Sequence, residues 1–236
     1  MARSRAVLIF ARTPEAEARA KDLRVSRAAP LFEAVIGLWI GAAQRAGAVP
    51  IIACSPSDRG RFAAIVPTAS PEWIDQGHGN FGERLSGAVS EGFGRGYGAV
   101  VVTGIDTPPP ESLDRVFSPL ESGAADAVIA PATDGGINLI ALTADATELL
   151  ATIRARQGDA ARRCHDFFGE RLCVLPASGD LDRAADLARA LRDRSWALLH
   201  PLIEGVLVIA RHPHFAPAAS DRHVSSMASR APPFAA

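Results

Sequence analysis

Apolar residues along this chain come in short dense runs separated by polar stretches, and the runs have two lengths. Ala6–Phe10, Val49–Cys54, Glu72–Asp75, Ala99–Gly104, Ala127–Pro131, Ile137–Leu142 and Arg171–Leu175 have strand length, most of them rich in β-branched residues. Longer segments lie between them. Leu31–Ala46 has apolar residues at 31, 32, 35, 36, 38, 39, 40 and 43, with Pro30 before it and Gly47 after it, which predicts a helix buried on a broad face. Leu38-Trp39 on that helix reads as core. Further helices are expected over Arg61–Ile65, Glu83–Phe93, Pro110–Ser122, Thr147–Arg156, Asp159–Phe168 and Leu181–Leu199. Residues 11–29 are polar and Arg-rich and read as a long loop with at most a helical turn, whereas Gly205–Ala210 is apolar and strand-like.

Strand and helix therefore alternate, which predicts an α/β fold with a mainly parallel sheet and no internal repeat. The 48% of hydrophobic residues is enough for a sizeable core, so residues 1–211 are expected to form one domain. From about His212 the text turns to Pro, Ala, Ser and His without periodicity, and residues 212–236 read as a disordered tail in which His212-Pro213-His214 makes a poor metal site.

A net charge of −1 leaves no basic footprint for nucleic acid, and the positive charge is almost all arginine. The three cysteines, Cys54, Cys164 and Cys173, are too few and scattered for a disulfide framework or a zinc site. The first apolar run is shorter than a signal-peptide core and is followed by Arg12, so it reads as a strand. No continuous stretch reaches the roughly 18 apolar residues of a membrane span. A cytoplasmic location is the expectation.

Four segments carry candidate chemistry. The run Ala99–Val102 leads to Gly104-Ile105-Asp106 and a proline brake. Ligands of open parallel sheets lie beyond the carboxyl ends of the strands, where Asp106 would meet a metal or a phosphate; alternatively it caps the turn before Pro110. One carboxylate there suffices to anchor Mg²⁺ or Mn²⁺. In Thr133-Asp134-Gly135-Gly136 the glycines permit close approach of a ligand and Asp134 could hold a hydroxyl or a metal-bound water, or the motif is an Asp-Gly hairpin turn. The glycine-dense loop Gly77–Gly82 opens a helix, which suits a phosphate or a sugar, and Arg84 could grip an anion or pair with Glu83 or Glu91. Asp180 reads as a helix N-cap with Asp182 in the first turn, a metal role at Asp182 being the other option. Neither a Gly-x-Ser-x-Gly elbow nor a Walker lysine motif is present.

Taken in order, these motifs resemble the radical-SAM/selenodomain-associated transferase 1 family, relatives of the nucleotide-diphospho-sugar transferases and, more distantly, of guanylyl- and cytidylyltransferases. The resemblance runs from about Ala6 to Leu191. It rests on Leu8-Ile9-Phe10-Ala11-Arg12-Thr13-Pro14, Gln76-Gly77 with Phe81-Gly82-Glu83-Arg84-Leu85, Gly104-Ile105-Asp106-Thr107-Pro108, Ala130–Gly136, and Asp180-Leu181-Asp182 with Asp186-Leu187. It implies a GT-A-like three-layer α/β sandwich and glycosyl transfer from a nucleotide-sugar to a small-molecule acceptor with Mg²⁺ or Mn²⁺. The alternatives are nucleotidyl transfer from an NTP, or ligand binding without catalysis. It also implies Asp106 at the metal and diphosphate position, Asp134 among the catalytic residues, Asp182 as a second metal residue, and Arg12, Lys21, Gly82, Arg84, Gly135 and Gly136 at the substrate. One departure stands out: the glycine and Lys-Thr-Arg of the family's first loop are replaced by Glu15–Arg24. Glu15, Glu17 and Asp22 add negative charge there, and Arg12, Arg19, Lys21 and Arg24 are available to offset it.

Overall fold

The chain is described by a computed structural model, which covers residues 4–210 apart from 68, 144–145 and 155–157. The tail expected at 212–236 lies outside the described residues. Among the described residues, seven strands form one sheet: β1 (Arg5–Phe10), β2 (Val49–Cys54), β3 (Glu72–Asp75), β4 (Ala99–Thr103), β5 (Ala127–Pro131), β6 (Ile137–Leu142) and β7 (Leu172–Val174). Their order is β3-β2-β1-β4-β6-β5-β7. Every neighbouring pair is parallel except those made by β6, which runs antiparallel to both β4 and β5.

The helices are α1 (Pro14–Ala20), α2 (Val25–Arg45), α3 (Arg59–Ile65), α4 (Phe81–Gly94), α5 (Asp114–Glu121), α6 (Thr147–Thr152), α7 (Ala160–Phe168), α8 (Ala184–Ala190) and α9 (His200–Ala210). Side chains of a strand alternate between the two faces of the sheet, so each central strand feeds two cores. Val7 and Ile9 of β1 and Val101 of β4 join α2, α5, α8 and α9 on one face. Ala6, Leu8, Val100 and Val102 join α4, α6 and α7 on the other. The result is the three-layer α/β sandwich that the family resemblance implied, with the mainly parallel sheet expected from the alternation of elements.

The structure departs from the sequence expectations in four places. Residues 11–29 are not a loop: Thr13 caps α1 through its hydroxyl, Pro14 takes the first helical position, and α2 begins at Val25. Pro30 lies inside α2 and does not open it. Pro30 has no N–H to offer the carbonyl of Ser26, a solvent-exposed residue, while buried Ala28 and Ala29 extend the packed face backwards. The helix expected over Leu181–Leu199 is interrupted, because Asp193 bonds the N–H and hydroxyl of Ser195 and starts a separate 3-10 turn, Arg194–Leu199, ahead of α9. Gly205–Ala210 belongs to α9, which packs on α2; a short apolar run does not by itself distinguish strand from buried helix.

At 21 residues, α2 is the one helix among the described residues with the length and apolarity to cross a membrane. Here Leu31, Phe32, Val35, Ile36, Trp39, Ile40 and Ala43 recur at helical spacing and are buried in the core. Each large side chain buried this way contributes about 1.5–3 kcal/mol.

Gly82 shows how closely the second core is packed. A Cβ placed on it would lie 2.5–2.8 Å from the carbonyl oxygens of Leu150, Ala151 and Ile153. Gly82→Ala should therefore destabilise the protein by about 1–3 kcal/mol through forced separation of α4 from the end of α6. Urea titration of the two forms measures this, and equal midpoints would show that the contact yields without cost.

Candidate active site

β4 delivers Asp106 to the carboxyl edge of the sheet, and two contacts hold the turn that carries it. The indole Nε1 of buried Trp39 donates to the Thr107 carbonyl at 2.8 Å, and the Leu181 N–H donates to the Asp106 carbonyl at 3.0 Å. Gly104 has a local role too: a Cβ there would stand 2.7 Å from Asp106 Oδ1 and re-aim the carboxylate. Trp39 is core, as its position on α2 suggested, and it also fixes the loop that bears the acid.

The second contributor is the segment before α8. Leu181 is 1% exposed and anchors the segment in the core, with Asp180 and Asp182 on either side of it. Ser178 bridges to Ala132, bonds Pro131 and Thr133, and accepts from Asn138 Nδ2, tying this segment to the β5–β6 loop. The N-cap expected at Asp180 does not form, because α8 starts at Ala184; Asp186 instead accepts from the N–H groups of Asp182 and Arg183. Asp180 is thereby left facing Asp106 and Asp182, and one oxygen of each of the three lies within 4.8 Å of the others.

The third contributor is α1. At its end the chain reverses through Asp22, whose φ of 54° makes it the one non-glycine residue with positive φ among those described. That turn directs Lys21 into the acidic group. Lys21 Nζ donates to Asp106 Oδ2 and Asp182 Oδ1, each at 2.9 Å, and lies 3.2 Å from Glu17 Oε1 one helical turn earlier. Its side chain is 4% exposed. Glu17 also pairs with Arg12, Oε2 to Nε at 2.9 Å, so it links the two cations after β1. The helix is held in place by Arg61 of α3, which bonds Glu15 at 2.6 Å and also pairs with Glu33 of α2.

The electrostatics follow from this arrangement. Burial works against the charged form of Lys21, but the carboxylates of Asp106, Glu17 and Asp182 outweigh it and raise its pKa above the ordinary lysine value. Asp180 is pushed up to about 6, by burial first and then by the negative charges of Asp182 and Asp106, with a smaller push from Asp134. Beside the group opens a cleft of about 570 Å³, lined among others by Lys21, Asp22, Asp134, Asp182 and Arg183.

Of the residues singled out in the sequence, the structure brings Lys21, Asp106 and Asp182 into contact and sets Asp134 on the wall of the same cleft. Asp134 also accepts from the Gly136 N–H at 2.9 Å, the bond of an Asp-Gly turn. Gly135 has a φ of +90° and a Cβ on it would meet the Gly158 carbonyl at 2.2 Å, so backbone geometry alone requires glycine there. Arg84 lies elsewhere. It donates to Gln76 Oε1 at 2.6 Å and covers the Phe10 ring, while Gln76 sutures the ends of β1 and β2 through the carbonyls of Ala11 and Ala53. Neither acid considered as its partner takes that place: Glu83 completes a capping box with Asn80, and Glu91 pairs with Arg95. Gly82 packs against α6. Glu17 and Asp180 are the two site residues that sequence reasoning missed. Two signals pointed to them: Lys21 is the single lysine beside 24 arginines, with Glu17 four residues before it, and Asp180 stands two residues from Asp182.

The strand order, the single antiparallel strand and an acidic site at the carboxyl ends of β1 and β4 define a fold of the nucleotide-diphospho-sugar transferase class, GT-A-like. Residues 40–157 match the family described as "Uncharacterized protein conserved in bacteria (DUF2064)", and the chain belongs to that family. Among solved structures, a protein of Desulfovibrio desulfuricans described as a nucleotide-diphospho-sugar transferase is 25% identical. Its alignment covers 85% of this chain and 97% of that one with a TM-score of 0.68. Two more share the fold at lower identity. For the 4-diphosphocytidyl-2C-methyl-D-erythritol synthase of Anaerococcus prevotii the values are 11% identity, 84% and 96% coverage, and a TM-score of 0.51. For a Bacillus anthracis protein described as a glucose-1-phosphate thymidylyltransferase they are 12%, 83% and 95%, and 0.53. No curated protein matches the sequence.

The raised pKa of Asp180 has a consequence for stability. The native carboxyl binds its proton up to about pH 6, whereas the unfolded one releases it near its ordinary value. The native state thus holds more protons between these values, and stability falls as pH rises through this window. In metal-free buffer, Asp180→Asn should melt at a temperature close to that of the wild type near pH 4 and above it at pH 7. Melts across this range check it; a difference that does not change with pH would contradict it.

Proposed function

We propose that this protein is a GT-A-type transferase that moves a glycosyl group from a nucleotide-diphospho-sugar to a small-molecule acceptor, with a divalent metal held at Asp106, Asp180 and Asp182. The observation that carries the reading is the convergence of these carboxylates with Lys21 beside an open cleft at the carboxyl edge of the sheet. Among the described residues, four carboxylates, counting Glu17, pair with two cations, Lys21 and Arg12, so the group has an excess of negative charge. Such a surplus suits a divalent cation, and all-oxygen donors suit Mg²⁺ or Mn²⁺. When bound, the ion would act as a Lewis acid on the diphosphate leaving group.

The chain's own residues take the remaining roles in this reading. Arg12, its side chain 57% exposed, and Lys21 meet phosphate oxygens. Asp134 accepts a hydroxyl of the sugar or the acceptor from the cleft wall. Asp182 and Asp106 hold the metal from two separate segments. The resemblance to the radical-SAM/selenodomain-associated transferase 1 family and the likeness to the Desulfovibrio protein support it. A second reading, nucleotidyl transfer from an NTP in the same site, is favoured by the placement of both cations, Arg12 and Lys21, in the segment between β1 and α2.

Titration calorimetry with UDP-sugars, GDP-sugars, GTP and CTP, with and without Mn²⁺, separates these readings. Metal-dependent binding of a nucleotide-sugar is the expected result; binding of NTPs alone transfers the assignment to nucleotidyl transfer, and binding of neither overturns both. Asp106→Asn should weaken the metal-dependent binding about a hundredfold, roughly 2.7 kcal/mol. Its melting temperature should change little, since the amide oxygen still accepts from Lys21.

A further inference from the structure

Lys21 is the single lysine of a chain that otherwise uses arginine at all 24 of its basic positions, and it is buried at the centre of the acidic group. An ammonium has three N–H donors, and Asp106, Asp182 and Glu17 offer one oxygen each at 2.9, 2.9 and 3.2 Å. A compact ammonium can direct its donors to three converging oxygens, a geometry that the planar fork of arginine does not match. Two of the three carboxylates able to hold a metal are thus already bonded to a positive charge of the chain itself. A divalent ion touching both would stand within a few ångströms of that ammonium, where like charges repel strongly.

We infer that Lys21 is an internal counter-cation which occupies the metal position of the ligand-free protein. A divalent ion enters only after a phosphate-bearing ligand in the cleft has drawn the ammonium away from Asp106 and Asp182. This rests on the proposed metal-dependent function and adds an order of binding to it: phosphate-bearing ligand first, metal second. The geometry allows the exchange. Lys21 is a wall residue of the cleft and sits at the C-terminal end of a seven-residue helix, next to the left-handed turn at Asp22. A phosphate oxygen gives the ammonium a new partner, and its departure frees one oxygen on each aspartate.

Mn²⁺ binding without nucleotide, followed by electron paramagnetic resonance of the free ion, tests this on wild type, Lys21→Met and the double variant Lys21→Met/Asp106→Asn. The expected result is an affinity at least about tenfold higher for Lys21→Met than for wild type, with the gain lost in the double variant. Equal affinities that depend on Asp106 overturn the counter-cation and leave the metal-dependent function standing. Absence of binding in every form overturns both. Should Lys21→Met fail to fold, the wild type itself decides, because ¹⁵N-lysine labelling yields one side-chain signal. That signal should stay in place with MgCl₂ alone and shift once UDP is added. A shift with MgCl₂ alone, or none with either addition, overturns the inference.

Discussion

The ammonium of Lys21, held by carboxylates from three separate segments, organises the working end of this molecule. Asp106 arrives from β4, Asp182 from the loop before α8, and Glu17 from the helix that carries Lys21 itself. Without the positive charge, carboxylates at this spacing would repel one another in a partly buried setting. With it, α1, the end of β4 and the pre-α8 segment can converge on one edge of the sheet. Removing Lys21 would leave Asp106, Asp182 and Glu17 without their shared cation, which makes this cluster a structural constraint as well as a candidate site.

The surrounding scaffold keeps the cluster in register. Trp39 spans from the core helix α2 to the Thr107 carbonyl, and Leu181 inserts between Asp180 and Asp182. Arg61 pins α1 against α2 and α3. Apolar anchors thus position the acids, and Asp182 and Asp134 line a cleft where a ligand can reach them. The glycine-rich loop at 77–82 takes a different part in the structure. Its helix N-terminus is closed by the Asn80–Glu83 capping box, Gly82 is spent on close packing, and Arg84 secures the ends of β1 and β2 through Gln76.

Much of the fold was legible in the chain. The strands named in the sequence lie where expected among the described residues, and the central ones are short apolar runs, because a strand buried between two helical layers needs nearly continuous apolar sequence. The less legible parts were those where local rules compete. Pro30 has the form of a helix start, yet burial of Ala28 and Ala29 carries α2 past it. Asp180 has the form of an N-cap, yet Asp186 satisfies the backbone there and leaves Asp180 for the acidic group. Gly205–Ala210 is as apolar as a strand, and its packing on α2 makes it helical.

The sequence by itself determined the alternation of elements, the parallel character of the sheet and the placement of Asp106 at its carboxyl edge. These depend on periodicity and turn chemistry, which are local properties. The pairing of Lys21 with Asp106 and Asp182 spans 85 and 161 residues, and only the tertiary structure decided it. Charges so far apart in sequence carry no mutual signal along the chain. Their encounter follows from the order in which strands pair and from the turn at Asp22 that aims one lysine inward.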